Sequence, residues 1–179
     1  MNLQIPLSEV NNLPFLTEPI RKYMLEACLV VLSENSHTRN HILMKVLHTE
    51  THDFTLILDD CELSPNALNS WDIENDATEK AAECIALLLF WRLTDHKSII
   101  RSRRGTGFDY WIGDESEILF QKKARLEISG ILKGDMSLLE RRFKEKSKQT
   151  DVSDSWNYPA YISVTAFGQP LTKFNLKNL

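Results

Sequence analysis

The stretch ATEKAAECIALLLFWRLT, Ala77 to Thr94, most narrowly limits what this chain can fold into. It is rich in strong helix formers. Ala81, Cys84, Ile85, Leu88 and Leu89 recur at i, i+3, i+4, i+7 and i+8, an apolar stripe that must be covered. The apolar run Cys84–Trp91 inside it is too short to span a bilayer. The stretch therefore predicts the central helix of a core, with no membrane span. Asp76 is the expected N-cap, and Glu79 three residues later completes a capping-box spacing.

The flanking segments supply the other layers. Glu18 to Leu32 reads as a helix with Ile20, Met24, Ala27 and Val31 on one stripe. HILMKVLH and DFTLILDD, joined by TETH, read as a hairpin. After the central helix come three strand-like runs, SIIRSRR, FDYWIG and KKARLEISGIL. A polar helix, SLLERRFKEKSK from Ser137 to Lys148, and a last strand, YISVTAF, follow. Pro170 and a polar tail close the chain. This order predicts an α/β fold, a mixed central sheet flanked by helices. One domain is expected over 1–179, with 1–76 as a helix-plus-hairpin extension and 77–167 as the core.

Cys28, Cys61 and Cys84 are odd in number and widely spaced, without a CxxC, which disfavours zinc ribbons and disulfide frameworks. A reducing compartment follows, and MNLQIPLSEVNN does not resemble a signal peptide, so a cytoplasmic protein is expected. Net charge is −4 but uneven. Residues 97–149 carry 13 Lys and Arg against 8 Asp and Glu, whereas the remainder carries 8 against 17. That asymmetry suits either an anionic partner at one surface or a solvated mixed-charge face.

Asp109 and Glu127 fall inside predicted strands, where acids are disfavoured. Either each pairs with an arginine, Arg101, Arg103 or Arg125, or the two hold a hard cation such as Mg²⁺, which takes carboxylate, phosphate and water oxygens. In GFDYWIG and RLEISG these acids, with the helix–strand–strand–strand–helix–strand order from residue 77, resemble the PD-(D/E)xK, or restriction-endonuclease-like, nuclease superfamily. The string GTGFDYWIG…LEISG is also similar to an uncharacterised small bacterial family.

The superfamily resemblance covers about 77–167 and implies an αβββαβ core. It implies Asp109 and Glu127 as catalytic Mg²⁺ ligands, with a third acid from the first helix, Glu79 or, as second choice, Glu83. It further implies a metal-dependent nuclease, or a nuclease-fold subunit of a bacterial defence or mobile-element system, with DNA or RNA and a protein partner. The family's lysine position, two after Glu127, is Ser129. Strand alternation would put Lys123, Arg125, Glu127 and Ser129 on one face, so Lys123 is the expected substitute. Ser129 equally suits a catalytically inactive binding or assembly subunit. A further alternative is a regulatory partner whose acidic residues 1–76 block a basic surface.

Arg142, Lys146 and Gln149, at i, i+4 and i+7, form a helix face suited to phosphate contacts. The alternative for that helix is an exposed surface salt-bridged through Glu140 and Glu145. GTG reads as a tight turn more than a phosphate loop, since no helix follows it. The pairs His37/His41 and His48/His52 are expected to be solvated. Ser129 lacks a His/Asp partner and is no nucleophile. Trp71, Trp91, Trp111 and Trp156 are expected to serve packing.

Overall fold

A computed structural model describes residues 4–37, 43–48, 52–57, 63–115 and 119–177. His41, Cys61 and the turn of the expected hairpin lie outside these residues. The protein is mixed α/β. Its strands are β1 (Gln4–Pro6), β2 (Leu43–His48), β3 (His52–Ile57), β4 (Ser98–Arg101), β5 (Tyr110–Glu115), β6 (Phe120–Ile131), β7 (Ala160–Ala166) and β8 (Leu171–Leu176). Its α-helices are α1 (Glu18–Glu34), α2 (Thr78–Leu93) and α3 (Met136–Gln149). The eight strands form one sheet in the order β1-β3-β2-β8-β7-β6-β5-β4. The pairs β1/β3, β2/β8 and β6/β7 are parallel, and the others are antiparallel. No helix among the described residues is long and apolar enough to cross a membrane.

Helix α2 is buried on every side from Ala81 to Phe90, which a single stripe did not anticipate. One side packs on β6 and β7, and α1 covers another. A helix that is apolar on nearly every side must sit inside, and α1 is what closes it in. Met24, Ala27 and Val31 of the α1 stripe are buried, but Ile20 is exposed. The expected Asp76 cap does not form. The chain enters α2 through a π-helical turn, Ile73–Ala77, capped by the Asp72 carboxylate accepting from the Asn75 N–H.

Strand alternation sorts the two faces of the sheet. Ala124, Leu126 and Ile128 of β6 join the core under α1 and α2. Ala160, Ile162, Val164 and Ala166 of β7 join Leu139 of α3 in a second core. Glu127 registers with Ile162 and so lies on the α3 side.

The polar tail is also corrected: LTKFNL is β8, placed between β2 and β7. Leu171, Thr172 and Phe174 are buried, and Lys173 reaches Glu140 of α3 at 2.8 Å. An ion pair and a buried Thr165–Thr172 hydroxyl contact of 2.9 Å let this polar strand stand inside the sheet. Of the four histidines expected to be solvated, His37 and His48 are half-buried and bonded to backbone, and His41 and the His52 side chain lie outside the described residues. His37 Nε2 donates to the Phe167 carbonyl at 2.9 Å, and His48 Nδ1 to that of Phe174 at 2.6 Å.

Candidate active site

The site begins where β5 leaves β6. β6 stays paired with β7 as far as Ile131, but its rungs with β5 end at Tyr110–Leu126. Asp109 sits at that divergence, just before β5 and not within it. Its N–H donates to the Leu126 carbonyl, and its own carbonyl accepts from the Ser102 N–H. The next rung is made by its side chain, Oδ2 accepting from the Ile128 N–H at 2.8 Å. The carboxylate thus replaces a peptide group in the ladder. This arrangement fixes its position beside Glu127, the neighbouring residue on β6.

Glu127 is 1% exposed. Its Oε1 accepts from Lys146 Nζ at 2.7 Å and from Gln149 Nε2 at 2.9 Å. Its Oε2 is buried without a hydrogen-bond partner. Burial, then the neighbouring Asp109 charge, raise the Glu127 carboxyl to about 8, with Lys146 opposing. Asp109 is also raised, first by burial, then by the Glu83 charge, against the Ile128 N–H. Two carboxyls are therefore held together where both cannot comfortably be ionised.

Beyond Asp109 the β6 edge opens into a cleft of about 360 Å³, lined among others by Thr78, Glu79, Glu83, Ser129, Gly130 and Lys146. Gly130 permits α2 to approach. A Cβ there would lie 2.5 Å from the Thr78 carbonyl oxygen and 3.2 Å from the Ala82 Cβ. This contact brings the first turns of α2 over the acids.

The helix acid that enters the site is Glu83, with Glu79 at the rim. Glu79 is mostly exposed, and its bond to Lys80 lowers its carboxyl below the usual range. Glu83 is 2% exposed. Arg101 NH1 donates to its Oε1 at 2.8 Å and to the Tyr110 hydroxyl at 2.6 Å, and Lys80 Nζ lies 3.2 Å from its Oε2. One sequence signal pointed to it: Glu83 is the acid embedded in an otherwise apolar AAECIALLLFW.

Lys123 is corrected. It is exposed, four residues from Glu127, roughly 13 Å along an extended strand. Register explains why alternation misled. Ile112 opposes Ala124 but Gly113 opposes Lys122, so Lys123 is the extra residue of a β-bulge. Gly113 is required there, since a Cβ would fall 2.0 Å from the Gln121 carbonyl oxygen.

The cation at the site is instead Lys146, from α3. Arg142 reaches toward the Ser129 hydroxyl at 3.5 Å and pairs with Glu145 at 3.3 Å. The face Arg142–Lys146–Gln149 therefore points at the sheet. Among the described residues neither Asp109 nor Glu127 pairs with an arginine. Arg101 serves Glu83, and buried Arg125 serves the Tyr158 and Thr150 carbonyls, the Ser153 hydroxyl and Asp154. Among the described residues no group of three His, Cys, Asp or Glu forms a ready-made metal shell; Asp109 and Glu127 are a pair, and Glu83 lines the same cleft as Asp109.

The GTG segment is a tight turn, with Gly105 and Gly107 at φ 88° and 79°. The Thr106 hydroxyl donates to the Arg103 carbonyl at 2.9 Å, and the Ser102 hydroxyl donates to that of Phe108. Gly107 packs on the α3 terminus, where a Cβ would lie 2.4 Å from the Gln149 carbonyl oxygen. No protein-family model, curated protein or solved structure matches the chain.

Proposed function

We propose that this chain is a metal-dependent phosphodiesterase of the restriction-endonuclease-like kind, acting on nucleic acid. One observation carries the reading: the Asp109–Glu127 pair, with Glu127 Oε2 buried and unpartnered and both carboxyls raised. A buried, electrostatically frustrated carboxyl pair, of which Asp109 lines the cleft, fits a hard divalent cation, which relieves both the repulsion and the missing partner. Asp109 and Glu127 would hold Mg²⁺, which when bound polarises a phosphate and activates water.

The remaining roles belong to the chain. The Ile128 N–H holds Asp109 in place, and Gln149 orients Glu127 through Oε1, leaving Oε2 as the oxygen for a cation. Lys146 supplies from α3 the positive charge that Ser129 cannot, stabilising negative charge on the scissile phosphate. Glu83, held by Arg101 and Tyr110, contributes negative charge from the α2 side of the cleft. Arg142 stands beside Ser129, within reach of a phosphate entering there.

The alternative is an inactive nuclease-fold subunit that binds or assembles with a partner. The Lys146–Glu127 ion pair favours it, since Oε1 is already neutralised without a cation. Mn²⁺ calorimetry with nuclease assays on single- and double-stranded DNA and RNA separates the two. The nuclease reading expects Mn²⁺ uptake and cleavage, both abolished by Asp109→Asn and by Glu127→Gln. Mn²⁺-independent folding with no uptake and no cleavage, with or without proteins encoded by neighbouring genes, leaves the assembly reading.

A further inference from the structure

One cluster of the described aromatic residues ends in a half-exposed ring. Trp156 is 45% exposed, at the end of the 3₁₀ segment after α3. Its ring stacks on Trp111 at 5.6 Å and 21°, and Phe108 meets both edge-on. Tyr158 closes the cluster against Trp111, so the inner rings are anchored and the Trp156 face is held rigid toward solvent. Trp156 packs on its neighbours as expected of the tryptophans, and it also keeps nearly half its surface in water.

The surroundings are cationic. Lys122 Nζ lies 4.3 Å from the Trp111 ring centroid. Arg103 and Arg104 are exposed on the turn that leads into Phe108 and Asp109, and no described residue holds either guanidinium in an ion pair. Asp151 and Asp154, the acids of the same 3₁₀ segment, are neutralised by Lys177 at 2.6 and 2.5 Å, and Asp154 also by Arg125. The patch therefore offers a half-exposed π-face with Lys122 against its inner ring and two exposed arginines on the turn that leads into Phe108.

The patch is also wired to the carboxyl pair. Phe108 precedes Asp109, and the Gly107 backbone lies against the Gln149 carbonyl, whose side chain binds Glu127. A strand laid across the Arg103–Gly107 turn would connect the two.

We propose that Trp156 is a stacking platform for an unpaired base of a single-stranded nucleic acid, with Arg103 and Arg104 on the adjoining phosphates. Bases offer π-faces only when unpaired, and stacking on an aromatic tolerates any sequence. A duplex presents phosphates to the arginines but no free base to the tryptophan. The inference rests on the nuclease reading for its direction, and it assigns that site a single-stranded or locally opened substrate.

The test measures binding of fluorescein-labelled oligothymidylate, oligouridylate and a DNA duplex to the full chain by anisotropy, in chelator so that nothing is cleaved. Trp156→Ala is expected to weaken single-strand binding roughly 10-fold or more and to leave duplex binding unchanged. Trp156→Phe should retain affinity, whereas Trp156→Leu, which keeps apolar bulk without the π-face, should lose it. Arg103→Ala and Arg104→Ala should each lower the salt dependence of binding by about one phosphate contact. Equal affinity in Trp156→Ala, or equal loss on single strand and duplex, overturns the proposal. So does no oligonucleotide binding by the wild type, or a dimer that Trp156→Ala splits without changing oligonucleotide affinity, which would make the patch a protein interface. Mn²⁺ calorimetry on the same proteins keeps the two readings apart. Metal uptake without Trp156-dependent binding sinks the platform alone, and Trp156-dependent binding without metal uptake sinks the nuclease alone.

Discussion

Glu127 should make the metal-free protein less stable as pH rises. Its carboxyl lies at about 8 in the folded protein against an ordinary 4.5, chiefly through burial and then the Asp109 charge. Between those values the native state keeps a proton that the unfolded chain has released. Stability therefore falls as pH climbs from about 4.5 through 8, with the favourable contribution fully present below the lower value. At 1.36 kcal/mol for each tenfold change, the whole window is worth on the order of 5 kcal/mol. That is a large share of the roughly 5–15 kcal/mol typical of a domain. Asp109, raised in the same direction, adds to the slope. The assay is guanidinium unfolding in chelator across this range, for wild type and Glu127→Gln. The variant cannot titrate at 127 and should lose most of the slope, becoming the more stable protein near pH 8. The other ionisable groups are common to both proteins, so the difference between them reports on Glu127. A wild-type curve that is flat or rises to pH 8, or an unchanged slope in Glu127→Gln, would refute the buried, repelled carboxyl described above.

Leu88→Ala, at a fully buried position of α2, should cost ~2–5 kcal/mol, read as a lower thermal midpoint with unchanged secondary structure by circular dichroism. Gly130→Ala should cost ~1–3 kcal/mol by driving a Cβ against the Thr78 carbonyl; calorimetry should also find its Mn²⁺ affinity weakened, because α2 carries Glu83. Lys146→Ala should push the Glu127 titration further upward, seen in carboxyl-carbon NMR, since the charge that opposes burial is gone. Lys123→Ala, on the exposed bulge, should leave that titration where it was.

Much of the scaffold is local and so was readable before any fold was known. The Ala81–Phe90 run, apolar but for Glu83, has to be a core helix, though its burial on every side went beyond the one stripe expected, and the β-branched and aromatic runs of β4 to β7 have to be strands. The odd placement of Asp109 and Glu127 was equally visible, because an acid near a strand needs a reason that lies outside the strand. The basic Arg142–Lys146–Gln149 face was legible from helical spacing alone.

What tertiary structure decided is everything that depends on register and on contacts distant in sequence. The bulge opposite Gly113 broke the alternation that would have brought Lys123 to Glu127, and a one-residue slip of this kind leaves no periodic trace. Lys146 gained that role through the docking of α3 on β6, a contact spanning 19 residues. Glu83 displaced Glu79 because it lies one turn further along the same face of α2, where Gly130 lets the helix descend onto the sheet, whereas Glu79 stays in the exposed first turn. LTKFNL looked like a tail because its polar residues find their partners, Glu140 and Thr165, only when β8 is already in place. Residue type and spacing determine which elements form; which side chains meet is set when the sheet chooses its register and the helices their depth, and that choice is collective.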